Sequence, residues 1–269
     1  MFWTERDDFA VIRSLGLRFG QLGLRGGMKL TSEAAETWKS AVVAAGFTLV
    51  TVFAAFEGET YSDIPTVCAT VGFVPPQTRA AREQRFLEVT DFAARLDAPG
   101  IACHIGCLPE NSSDAAYLEV RDVVRRICDH AVQHRQTFAL ETGQERPDVL
   151  VDFIRAVDRP NLRVNFDPAN MILYGTGDPI DALRLLAPWV VSVHMKDGDW
   201  PPAGDPEALG VERPLGQGAV GIERFLTTLR EIGFRGPLNI ERETEDQAER
   251  WRDIAAAVRL LARYHQVTT

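Results

Sequence analysis

Several apolar runs in this chain end in residues that can do chemistry. "GIACHIG" (residues 100–106) ends near His104 and "TFALETG" (137–143) ends near Glu141. "LRVNFDPAN" (162–170) ends in Asp167 and Asn170, and "VVSVHMKDGDW" (190–200) ends in His194, Lys196, Asp197 and Asp199. "PLNIERE" (237–243) ends in Glu241 and Glu243. One polar residue where a strand leaves the core is ordinary. Five strands with ionisable groups at the same end form a pattern. Glu141, Asp167, His194 and Glu241 offer three carboxylates and one imidazole. Gathered in one place, three uncompensated carboxylates would repel and raise each other's pKa. A divalent cation removes that penalty. An oxygen-rich set with one nitrogen and no thiolate suits Mn²⁺, Mg²⁺ or Co²⁺, with Zn²⁺ as a further candidate.

The residues between these runs must position them. Helix-period segments alternate with the strands: residues 31–45 after a Thr31 N-cap, 78–96, 113–133, 147–157 and 178–187, where Asp178-Pro179 reads as N-cap and N1 proline. Residues 222–232 and 246–264 read as the last two helices. The strand "FTLVTVFAAF" (47–56) joins those named above, and residues 15–20 read as a first strand. The eighth is expected near residues 212–218. Strand–helix alternation implies parallel strands with crossover helices. Eight units over about 250 residues match a closed (β/α)₈ TIM barrel. We expect an α/β fold with residues 1–269 as one such domain; an open doubly wound sheet is the alternative. In a barrel the carboxyl ends of the strands converge on one mouth, which is where the five ionisable groups would meet.

Composition narrows the function classes. The 269 residues are 45% hydrophobic and 25% charged, enough for a full core, and the net charge is −9. No basic block provides a footprint for nucleic acid. No run of about 18 apolar residues suggests a membrane span. The start, "MFWTERDDFAVIRS", is too acidic and interrupted for a signal peptide, so a cytoplasmic protein is expected. Cys68, Cys103, Cys107 and Cys128 are read as free thiols of a reducing compartment. The Cys103-His104-x-x-Cys107 spacing lacks a second pair to complete a zinc site.

The stretches "ALETG", "NFDPANMILYGTGDP", "VHMKDGD", "PLGQGAVG" and "LNIERE" resemble the xylose isomerase-like barrel superfamily. Within it they resemble the sugar phosphate isomerase/epimerase type, including ketose 3-epimerases. The resemblance spans nearly the whole chain. It implies one metal held by Glu141, Asp167, His194 and Glu241, with Glu141 and Glu241 also exchanging the proton. The expected function is a metal-dependent isomerase or epimerase acting on a keto-sugar or related polyol through a cis-enediolate. The expected partner is a small carbohydrate, and a homodimer or tetramer follows by analogy alone. His104 and Lys196 are read as substrate-binding residues, as are Asn170, Glu57 and Trp200. Glu57 and Tyr61 lie in the irregular segment 57–76, a lid or substrate wall. Asn170 stands where the epimerases carry a histidine, and Trp200 where they carry an arginine; both departures bear on the substrate. Enolisation followed by β-elimination on a 3-keto-glycoside or an inosose is the alternative. A barrel that binds without catalysing is the third reading. The superfamily's three-zinc DNA-repair enzymes use a further Asp-x-His before Gly-x-Gly, which "VERPLGQG" lacks.

Overall fold

The computed structural model describes residues 1–3 and 7–266. Ten strands and ten helices run along them: β1 (Phe2–Trp3), α1 (Phe9–Ser14), β2 (Phe19–Leu24), α2 (Ser32–Ala44), β3 (Thr48–Ala54), α3 (Ile64–Thr70), α4 (Pro76–Arg95), β4 (Gly100–Cys103), α5 (Ala115–Gln133), β5 (Thr137–Glu141), α6 (Pro147–Val157), β6 (Leu162–Phe166), α7 (Pro168–Leu173), α8 (Pro179–Leu186), β7 (Val190–Met195), β8 (Asp197–Asp199), β9 (Val211–Arg213), α9 (Ile222–Glu231), β10 (Leu238–Ile240) and α10 (Gln247–Gln266). Eight strands form one sheet in the order β1-β2-β3-β4-β5-β6-β7-β10, every pair parallel. The sheet curls into the TIM barrel. Across its two margins the Met1 nitrogen donates to the Ile240 carbonyl.

Each strand turns one face outward to the helices and one inward, because side chains alternate along it. Val52, Ile101, Phe138 and Leu162 are register partners on β3 to β6 and are wholly buried in the outer core. Phe86 of α4 packs on Phe138 with ring centroids 4.9 Å apart. Burying each such side chain contributes about 1.5–3 kcal/mol. The next row, Phe53, Ala102 and Ala139, points inward as a small apolar cluster with Met1 and Val191. Toward the same interior lie polar side chains: Gln21, Asn165, Ser192 and Asn239, all buried. They are bonded to one another. Gln21 Nε2 donates to Asn165 Oδ1 (2.9 Å) and Ser192 Oγ (2.8 Å), and Asn239 Nδ2 donates to Ser192 Oγ (2.9 Å).

Helix starts carry the chemistry expected of them. The Thr31 hydroxyl accepts from Ala34 N at 3.1 Å, and one Asp178 oxygen accepts from Ile180 N (2.8 Å) and Asp181 N (3.1 Å). Pro147 and Pro179 occupy the first turns of α6 and α8, where a missing N–H costs nothing.

Four expectations are corrected. The first strand is shifted to Phe19–Leu24, and the barrel's remaining strand is β1, at the start of the chain, not residues 212–218. Two residues are too few to show a period, so β1 gave no signal. Near 212–218 the chain instead forms β9, antiparallel to β8. The segment 57–76 contains a helix, α3, capped by Asp63, whose Oδ1 accepts from Thr66 N at 2.8 Å. Cys68 and Cys107 are not free thiols; they form a disulfide that ties α3 to the loop after β4. Contacts across 39 residues of sequence leave no mark in spacing. Cys103 and Cys128 are buried free thiols. Among the described residues no helix is long and apolar enough to cross a membrane.

The disulfide sets a count. Thiol titration in denaturant without reductant is expected to give two reactive cysteines per chain, rising to four after reduction; four from the outset would contradict the Cys68–Cys107 bond.

Candidate functional site at the barrel mouth

Four strand ends deliver one cluster. Glu141 ends β5, Asp167 follows β6, His194 lies in β7 and Glu241 follows β10. All four are buried, with Glu241 the most exposed at 6%. One ligand-type atom from each lies within 4.8 Å of the others. His194 Nδ1 is 3.0 Å from Glu141 Oε1, 2.9 Å from Glu241 Oε2 and 3.5 Å from Asp167 Oδ2.

The opposite ring nitrogen sets the orientation. His194 Nε2 lies 2.6 Å from Gln21 Oε1 and 3.0 Å from the Asn165 amide. Gln21 Oε1 can only accept and Asn165 Nδ2 can only donate; the much shorter contact is to Gln21, so Nε2 carries its proton toward Gln21 and Nδ1 faces the carboxylates. The backbone is bent at both supporting residues: the β2–β3 register shifts at Gly20/Gln21 and the β6–β7 register shifts at Val164/Asn165. Such irregularities re-aim side chains beside functional sites.

Asp167 is divided between two tasks. It N-caps α7, its Oδ1 accepting from Asn170 N at 3.0 Å. Its Oδ2 points to the cluster. Asn170 Nδ2 donates to Glu141 Oε1 at 3.1 Å, so the residue three after the aspartate orients a carboxylate. Glu141 Oε2, Asp167 Oδ2 and Glu241 Oε2 are buried and none accepts a hydrogen bond. Leaving charged oxygens in that state is costly.

The electrostatics show how the cluster responds. Burial, only partly offset by Lys196, pushes the Asp167 carboxyl up to about 6. Burial opposes charge on His194, but Glu241 and Glu141 outweigh it and raise its pKa well above the usual value. Burial pushes Glu241 upward, yet His194 and Lys196 hold it well below the ordinary carboxylate range. The cluster thus draws a proton onto Nδ1. A metal cation in that proton's place would meet the same three carboxylates with a lone pair completing the set. The donor set and its orphaned oxygens fit a divalent ion.

A cavity of about 300 Å³ opens onto the cluster. Glu141 and Glu241 line it with His104, Asn170, Tyr174, Lys196, Glu212 and Glu243, and Trp3, Phe53 and Tyr61 supply aromatic wall. Gln144 Nε2 is 3.1 Å from His104 Nδ1, which leaves Nε2 as the donor facing Glu141 Oε2 at 3.7 Å. Lys196 is 4% exposed, 2.6 Å from Glu243, 3.4 Å from Glu241 and 3.9 Å from Asp167. Burial opposes its charge, but Glu241, Glu243 and Asp167 keep its pKa well above the usual value.

The structure therefore brings together Glu141, Asp167, His194, Glu241, His104, Asn170 and Lys196. It does not bring in the other two sequence-derived residues. Glu57 is exposed, and Trp200 is 45% exposed; neither lines the cavity. Glu59, two residues on, is turned inward and accepts from Phe56 N and Gly72 N. Sequence reasoning gave no site role to Gln21, Asn165, Tyr174, Glu212 or Glu243. Only Glu243, as a second acid after a strand, had a visible signal. Asp197 serves the loop instead of the chemistry: its carboxylate accepts from Gly198 N, Gly216 N, Gly218 N and Val220 N at 2.9–3.1 Å. A Cβ on Gly218 would sit 2.4 Å from Asp197 Oδ1, so that position requires glycine.

Comparisons with known proteins agree with this architecture. A family model described as xylose isomerase-like TIM barrel matches residues 9–264. A solved xylose isomerase domain protein from Planctomyces limnophilus is 43% identical, with a TM-score of 0.92 over 97% of this chain and 94% of that one. Two more distant structures share the fold. They are a 3-keto-D-glucoside 4-epimerase from E. coli (17% identity, TM-score 0.69, 96% of each chain) and a probable 3-DHS dehydratase from Bacillus anthracis (17%, 0.67, 97% and 94%). An uncharacterized protein of Methanocaldococcus jannaschii is 23% identical over 174 residues, 60% of this chain, and the match spans only 57% of that relative's length. With the model covering nearly its whole length, the chain belongs to the xylose isomerase-like TIM barrel family.

Proposed function

We propose that the protein is a divalent-metal-dependent isomerase or epimerase acting on a keto-sugar or related polyol. One observation carries the reading: Glu141 Oε1, Asp167 Oδ2 and Glu241 Oε2 surround His194 Nδ1 at 3.0, 3.5 and 2.9 Å, and Asp167 Oδ2, Glu241 Oε2 and the second Glu141 oxygen, Oε2, are buried and accept no hydrogen bond. Glu141, Asp167, His194 and Glu241 would hold the ion, with Mn²⁺, Mg²⁺ or Co²⁺ preferred for the oxygen-rich set. When bound, it supplies the positive charge that acidifies a C–H beside a substrate carbonyl.

The remaining work falls to side chains that line the cavity. One of Glu141 and Glu241 takes the proton from carbon, and its carboxylate becomes a carboxylic acid. Return of a proton to the other face of that carbon inverts it; return to the neighbouring carbon isomerises the sugar. The His104 Nε2–H and the Lys196 ammonium donate to substrate oxygens, and Asn170 keeps Glu141 aimed. Glu212 and Glu243 make the far wall acidic, and Lys196 is already paired, which favours a neutral polyol over a phosphorylated one. The epimerase named among the structural neighbours supports proton transfer at carbon; the dehydratase supports the rival course in which enolisation expels a β-substituent.

Incubation of the Mn²⁺-loaded protein with a panel of ketoses and 3-keto-glycosides in D₂O is expected to put deuterium on the carbon beside the carbonyl, with the carbon skeleton and all hydroxyls retained. Glu141→Gln and Glu241→Gln should each slow this by about 10²–10⁴-fold. Exchange unaffected by both substitutions would reject the assignment, and loss of water from the product would transfer it to the lyase class.

Metal affinity should depend on pH in a set direction, because protons compete for the same ligands. Affinity is expected to fall as pH drops through about 6, where Asp167 takes up its proton, and binding should release protons to the medium. The metal-free protein behaves oppositely at this residue. The folded pKa of about 6 lies above the usual 3.8, so the stabilising protonated form is lost as pH rises between them. Calorimetric titration in two buffers of different ionisation heat measures both; an affinity flat from pH 5 to 8 would contradict the ligand set.

Gln21→Leu removes the acceptor of the His194 Nε2 proton without touching any ligand. It should cost about 10–100-fold in metal affinity. An unchanged dissociation constant would show that Gln21 does not hold the ring.

A further inference from the structure

A second group of metal-ligating side chains lies away from the barrel mouth, on the outer layer of helices. His130 is on α5 and His134 caps its end, one helical turn apart, so their rings share a face. Asp91 projects from the neighbouring helix α4. His130 Nε2 is 2.7 Å and His134 Nε2 is 2.9 Å from the same atom, Asp91 Oδ1. The two ring centroids are 5.4 Å apart. All three ligand atoms lie within 4.8 Å of one another. The side chains of Asp91, His130 and His134 are 48%, 28% and 32% exposed, so a hydrated ion can reach them.

We propose that Asp91, His130 and His134 form a second, independent site for a borderline dication of the Zn²⁺ type. Two imidazole nitrogens and one carboxylate oxygen match the zinc preference, and water would fill the fourth position. Mg²⁺ and Mn²⁺ favour the oxygen-rich mouth instead, so the two sites sort ions by ligand type. Tetrahedral bond lengths of about 2.0–2.2 Å place ligand atoms roughly 3.3–3.5 Å apart. The present 2.7 and 2.9 Å contacts therefore need to open by only about half an ångström. Arg126, one turn before His130 on α5, is held by both oxygens of Glu83 (2.5 and 2.8 Å), so its charge is neutralised.

The consequence is a staple. α4 and α5 precede β4 and β5, the strands that lead to His104 and Glu141. An ion bridging the two helices would fix their packing and raise thermal stability without entering the reaction.

The test uses untagged protein, since a polyhistidine tail would bind zinc itself. Zn²⁺ is titrated against a competing chelator into wild type, His130→Asn/His134→Gln and Glu241→Ala, and melting temperatures are recorded with and without Zn²⁺. The histidine variant is expected to lose one equivalent of zinc and part of the zinc-dependent rise in melting temperature, while keeping whatever equivalent the mouth binds. Glu241→Ala should keep the surface equivalent. A histidine variant that binds as many equivalents as wild type with the same affinity would overturn the proposal. Should that variant fail to fold, wild-type crystals soaked in Zn²⁺ decide the matter. An anomalous peak between the two rings supports the site, and its absence there refutes it.

Discussion

The contact on which the rest depends is the one between the Nδ1 of His194 and three carboxylates. Glu141, Glu241 and Asp167 approach it at 3.0, 2.9 and 3.5 Å in a place where every participant is buried. Such a cluster cannot stay uncompensated at low dielectric. It must take up positive charge, as a proton on Nδ1 or as a metal ion in the proton's place. The barrel is arranged so that both options meet the same ligands. The layer below supports this: Gln21, Asn165, Ser192 and Asn239 fill the interior with amides and a hydroxyl bonded to one another, and Gln21 holds the imidazole by its other nitrogen.

Other parts of the fold protect that arrangement. Asp167 splits its two oxygens between a helix N-terminus and the cluster, so the cap of α7 also orients the oxygen that faces His194. Asn170 passes the same positioning to Glu141. The buried Asp197 carboxylate gathers four backbone N–H groups and sets the loop that follows β9, the strand that places Glu212 on the cavity wall. On the other side, the Cys68–Cys107 disulfide joins α3 to the loop that follows His104, and so ties the segment after Tyr61 to the strand end that carries His104, both of which line the cavity. The peripheral Asp91–His130–His134 cluster draws on the same ligand chemistry but with more nitrogen and more water.

Much of this was legible in the sequence because strand ends are legible. An apolar run that stops at an ionisable residue marks where a barrel strand reaches the mouth, and five such ends gave the barrel and the cluster together. The supporting layer was not legible in the same way. Gln21, Asn165 and Ser192 look like interruptions of apolar strands until the barrel shows that they face one another. β1 is too short to carry a period. The disulfide depends on a contact between distant loops. Glu57 was singled out by residue type and Trp200 by its place in the resemblance, and both are exposed and off the cavity; Glu59, close to Glu57, is turned inward, and Tyr61 lines the cavity wall. Asp197 shares its strand exit with His194, but four amide donors claim its carboxylate, and nothing in its spacing distinguished a loop clamp from a ligand.

The central claim is that Nδ1 of His194, with Glu141, Asp167 and Glu241, forms one metal site. The most direct test is the anomalous difference map of a crystal soaked in Mn²⁺ near neutral pH. The account predicts one strong peak at the mouth, within coordination distance of Nδ1 and of one oxygen from each carboxylate, with Nε2 still hydrogen-bonded to Gln21. No peak among these four residues, or coordination through Nε2 with the ring turned over, would contradict it.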